Sequence, residues 1–202
     1  MKSHKKTGRL AGLLFLLIFI TGIIVYQFLQ GPVLFSDDYL TATSANSTEI
    51  IISTLLLFLS GITSVVIAAI LLPIFKKYST PLAFIYLAFN ILSFIAIAID
   101  NISVLSMLEL SREYVGNGND NSGILSTLGN VLYKKHWWTH YLSLLISCFP
   151  LFILYYTFYI SKLIPKVISI VGIIAVILMF IEILSSILGN SISMNMLLPI
   201  GL

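Results

Sequence analysis

The chain has 202 residues, 58% of them hydrophobic and only 9% charged. A soluble domain carries roughly 25% charged residues, so an ordinary water-soluble globule is excluded. The net charge of +3 is small and reads as membrane topology, not as a nucleic-acid surface, and the single cysteine, Cys148, leaves no intrachain disulfide framework and no CxxC metal motif.

The apolar residues come in long blocks broken by short polar pieces, the signature of a polytopic membrane protein. A spanning β-barrel would show alternating segments of about 10 residues, which are absent here. The chain is therefore expected to be all-α, a single transmembrane helix bundle over residues 1–202.

Lys2, Lys5, Lys6 and Arg9 precede an apolar run at residues 10–28. No small-x-small cleavage site follows it, so it reads as an uncleaved first span and not as a signal peptide. Residues 29–48 form a polar connection. The second span, about 50–75, carries Ser60, Ser64 and Ala68 at every fourth position with Gly61 beside them, a small-residue stripe that lets another helix approach closely. Lys76 and Lys77 close it.

Thr80 and Pro81 are expected to start the third span as N-cap and first helical residue. That span covers about 81–105, and its pattern continues to Tyr114, so its last turns should project into water. A Gly/Asn-rich loop follows at 116–123. The spacing of apolar residues in 124–133 predicts a short, separate amphipathic helix at the interface. The fourth span, about 137–160, is bracketed by Trp137, Trp138 and Tyr141 at one end and Tyr155, Tyr156 and Tyr159 at the other, as aromatic belts should be. A turn with Lys162 leads to the fifth span, about 166–188. Residues 192–202 are apolar but too few to cross, and read as a partial sixth span.

Lys and Arg number four at the N-terminus, two at the 76–80 turn and two at the 161–166 turn, against Arg112, Lys134 and Lys135 on the other side. The positive-inside rule then makes the N-terminus cytoplasmic.

The order of pieces has a known counterpart. It runs Gly8-Arg9-Leu10-Ala11-Gly12-Leu13-Leu14, one short turn after the second span, a long connection, His140 early in the fourth span, then Leu163 to Lys166 followed by Ile168 and Gly172. Over nearly the whole chain this resembles the bacterial multi-pass family known as domain of unknown function 4386. The resemblance implies a bacterial plasma-membrane protein with a six-helix plan. It implies no activity, because the family has none established.

Ionisable residues inside a span cost about 2.5–3.5 kcal/mol each at mid-bilayer and so invite a functional reading. Asp100 lies 19 residues after Pro81, roughly 28 Å up a helix; Glu182 lies 17 after Pro165, roughly 25 Å up. His136 and His140, one turn apart on one face, sit at the mouth of the fourth span. With Asn101 they form the candidate polar pocket: Asp100, Asn101, His136, His140 and Glu182. Three polar or small stripes are expected to turn these residues inward: Asn90, Ser93 and Asn101; His136, His140, Ser143 and Ser147; and Gly172, Ala175, Met179, Glu182 and Ser186.

Such a pocket suits a small or lipidic ligand, or a membrane partner. The other reading is an intramembrane metal-dependent hydrolase. Two histidines and two carboxylates are donors that zinc accepts, but the H-E-x-x-H pattern is absent, so no metal or cofactor is assigned. The partners expected are the lipid bilayer and that ligand, with no nucleic acid.

Overall fold

The computed structural model describes residues 2–116 and 122–189, and these are helical almost throughout. In chain order they form α1 (Lys2–Ile23), a π-helical turn (Ile24–Leu29), α2 (Gly31–Leu34), α3 (Tyr39–Ala45), α4 (Ser47–Phe75), α5 (Thr80–Gly116), α6 (Ser122–Ser161) and α7 (Lys166–Ile187). Among the described residues five helical stretches are long and apolar enough to cross a membrane. The segment expected to begin a sixth span, 192–202, lies outside the described residues.

The long helices pack mainly as neighbours in sequence: α4 on α5, α5 on α6 and α6 on α7, with α1 lying against α4. The close approaches are where small residues permit them. A side-chain carbon added at Gly61 would stand 2.7 Å from the Phe94 ring. Next to it the Ser64 hydroxyl donates to Asn90 Oδ1 at 3.2 Å. Ser60, Gly61 and Ala68 are buried, so the stripe on α4 is the α4–α5 contact. At the α6–α7 contact the Tyr155 ring occupies the space a Gly172 side chain would need.

The two ends of the bundle differ. One end has tight turns. Ser79, not Thr80, caps α5 there: its Oγ accepts from Leu82 N–H at 3.4 Å. In the second turn Lys162 takes a left-handed φ of 56°. Phe75 is fully buried at this end, with Tyr86 and Phe158 ring centroids 5.2 and 5.9 Å away.

The opposite end is a cap. At 1.5 Å per residue, α5 with 37 residues and α6 with 40 are about 55 and 60 Å long, well beyond a hydrocarbon core of about 30 Å. The expected separate helix over 124–133 does not exist. The polar residues Lys134, Lys135 and His136 interrupt the apolar pattern but none of them breaks a helix, so a single helix runs from Ser122 to Ser161. The polar connection 29–48 is also mostly helical. Asp38 caps α3 by accepting from Thr41 N–H at 3.4 Å. Val33, Leu34 and Ile50 then bury against Val104, Met107 and Leu108 of the overhanging α5. Tyr39 donates to Asn130 Oδ1 at 3.1 Å and packs on Tyr133 at 4.8 Å, which ties this connection to α6 as well.

Candidate functional site

Asp100 sits 20 residues into α5, about 30 Å from the turn end. A hydrocarbon core of about 30 Å that begins at that turn ends at this level. The residue is 5% exposed, and a buried carboxylate needs donors. All three come from one turn of α6. His136 Nδ1 lies 2.8 Å from Asp100 Oδ1. The Thr139 hydroxyl donates to the same oxygen at 2.6 Å. His140 Nδ1 lies 3.4 Å from Oδ2. A carboxylate only accepts, so both histidines carry a hydrogen on Nδ1 and donate. Positions 136, 139 and 140 follow i, i+3, i+4, which is why one helix face delivers all three.

A fourth group arrives from α1. The π turn adds a residue to the helical repeat, and Tyr26 within it meets the His140 ring edge-on at 5.7 Å. A side chain at Gly31 would collide with the Tyr26 carbonyl, so the exit from the π turn into α2 is made for glycine. Single π turns of this kind occur often at functional sites. The cluster therefore joins the first, third and fourth spanning helices.

Of the residues expected in the pocket, Asp100, His136 and His140 come together and two do not. Asn101 is one residue, or 100°, further round α5 and faces α4, where its Nδ2 donates to the Thr54 carbonyl at 3.1 Å. Glu182 is separated by the packing of α7. The α7 helix rests on the face of α6 that carries Tyr141, Leu144, Leu145 and Cys148, whereas the histidines face α5. Glu182 Oε1 instead accepts from Ser186 Oγ at 3.0 Å in its own helix. Thr139 and Tyr26 belong to the cluster and were not expected. Thr139 was visible in principle, since it shares the histidine face. Tyr26 gave no signal, because the π turn shifts the helical phase that a sequence pattern assumes.

The groups of the cluster are bonded to one another. Both Nδ1 atoms point at Asp100, so the two rings do not converge on a shared metal position. Among the described residues no three His, Cys, Asp or Glu side chains form a group that could hold a metal ion. The side chain of His140 is 25% exposed and that of His136 13%, against 8% for Asp100, so it is the histidine edges that remain accessible. A separate apolar cleft of about 370 Å³ lies further along α6, lined by Cys148, Phe149, Phe152, Val176, Ile177 and Phe180 among others.

No curated protein and no solved structure matches the chain. A family model, described as a domain of unknown function (DUF4386), matches residues 10–202. The match takes in every long helix and all of the cluster, and the chain belongs to the DUF4386 family, as an integral membrane protein built from long apolar helices.

Proposed function

We propose that the protein is a non-enzymatic binding protein of the plasma membrane, with its N-terminus in the cytoplasm, which takes a small or lipidic ligand at the mouth between α5 and α6. The observation behind this reading is the carboxylate shared by two histidines at the hydrocarbon edge. Asp100 holds both Nδ1 atoms, which fixes the rings and leaves each Nε2 without a role in the cluster, on side chains that are 13% and 25% exposed, to meet a ligand. Trp137 and Trp138, packed at 4.9 Å beside the histidines, mark headgroup depth, so an amphiphile would offer its polar end at this level.

The competing reading, a metal-dependent hydrolase, asks both imidazoles to turn away from Asp100 and find further ligands. Glu182 is not placed to be one of them. Native mass spectrometry of protein released gently from membranes tests the binding reading. Parent protein is expected to carry a bound amphiphile that His136→Ala/His140→Ala protein lacks. Equal cargo on both, or none on the parent, removes the proposal.

A further inference from the structure

We infer that the Asp100–His136–His140 cluster is a proton-operated latch, closed around one shared proton and opened by a second. The latch concerns the site described above but stands on its geometry alone, whether or not a ligand binds there.

The counting is simple. The buried side chain of Asp100 brings one negative charge and meets two imidazoles, at 2.8 and 3.4 Å. With no added proton the cluster is charged −1. One proton makes it neutral, an imidazolium beside its carboxylate. A second leaves it at +1, with two imidazolium rings whose centroids are 5.7 Å apart beside a single carboxylate that can balance only one of them. Like charges that close repel strongly where water is scarce. Imidazole is the side chain whose ordinary titration falls between pH 5 and 8, which sets the range over which the latch is tested.

The neighbouring groups do not supply a second negative charge. From the first spanning helix the facing group is Tyr26. From α6 they are Thr139 and Tyr141, the latter 6.0 Å from His140. Lys135, next to His136, is exposed and positive. From α4 the polar contact at this level is the Thr54 carbonyl, already taken by Asn101. The carboxylate of α7, Glu182, is bonded to Ser186. Among the described residues the second proton therefore meets no second carboxylate in the cluster, and its entry favours separation of α6 from α5 and of Tyr26 from His140.

The consequence for stability follows from proton linkage. In acid an unfolded chain can take up a proton on each imidazole, while the closed latch, with one carboxylate between two rings, balances only one. The unfolded state then binds more protons, so stability falls as pH falls. A chain with one histidine removed is balanced by a single proton and has no such second step.

The test uses the full chain in detergent with no added ligand. Thermal unfolding is followed from pH 8 to pH 5 by fluorescence of Trp137 and Trp138, which adjoin His136 in sequence. The parent midpoint is expected to hold near neutral pH and then drop by at least about 2–4 °C. His136→Gln and His140→Gln should each lose at least half of that drop. Should one of them fail to fold, the other decides, since either removes one of the two protons. A flat parent profile overturns the latch. So does a single-histidine variant that falls as far as the parent, because the acid step then belongs to other carboxylates. Neither result bears on whether an amphiphile copurifies, so the two proposals fail separately.

Discussion

Asp100 shows how much a single buried acid depends on its donors. A carboxylate 5% exposed at the edge of a bilayer is tolerated because Thr139, His136 and His140 all turn toward it, and charge-assisted hydrogen bonds are the strong ones. Residues in such contact are energetically coupled. A double-mutant cycle of His140→Ala with Asp100→Asn is therefore expected to give an interaction energy of about 0.5–3 kcal/mol in thermal or denaturant unfolding. The same cycle with Glu182→Gln should be additive within about 0.3–0.5 kcal/mol. Coupling to Glu182 equal to that with Asp100 would mean that α7 is misplaced. At this scale the sequence was informative where helical spacing and depth decide. The i, i+4 histidines and the height of Asp100 both follow from counting residues. Counting fails for Glu182, because spacing shows that α7 has a polar stripe but not which face of α6 it meets. It fails for Tyr26 because the π turn abandons the 3.6-residue period.

The helix ends at the two tight turns were legible to within about a residue, whereas α1 starts at Lys2, eight residues ahead of the apolar run read as its beginning. The other differences are at the cap. Hydropathy separates residues 124–133 from the fourth span, yet nothing there breaks a helix, and the backbone runs straight through. The 29–48 connection looks like a loop by composition, but Asp38 caps a helix and Leu34 and Leu40 are buried. The seam between α4 and α5 offers a test at this scale. Ser64 touches Asn90, and Gly61 leaves its space to Phe94. Ser64→Leu forces a branched side chain into that contact and is expected to cost about 1–3 kcal/mol by overpacking, read as a lower unfolding midpoint in detergent. An unchanged midpoint would mean that this face of α4 meets lipid.

For the whole molecule, the charge asymmetry predicts which end faces the cell interior. Cys148 is buried, so single cysteines introduced elsewhere can be read cleanly. In intact cells Tyr78→Cys and Leu163→Cys, at exposed turn positions, should be shielded from an impermeant thiol reagent. Thr41→Cys and Thr127→Cys, exposed on the cap, should react. Labelling at position 78 from outside would invert the molecule. The all-α bundle was readable because long apolar blocks leave few alternatives. The order in which helices touch was not, since apolar stripes carry no label for their partners.

The overhang of α5 and α6 gives the cluster mechanical leverage. Asp100 lies 16 residues short of the end of α5, and His136 lies 14 residues from the start of α6, so each helix continues about 21–24 Å past the point where they are pinned. A stiff rod turned by a few degrees about a pin moves its far end by roughly 1–2 Å over that distance. Small adjustments among three side chains at the hydrocarbon edge are thereby enlarged toward the aqueous tips, past the level where Tyr39 and Asn130 touch. Whatever loosens the pin is felt furthest from the membrane.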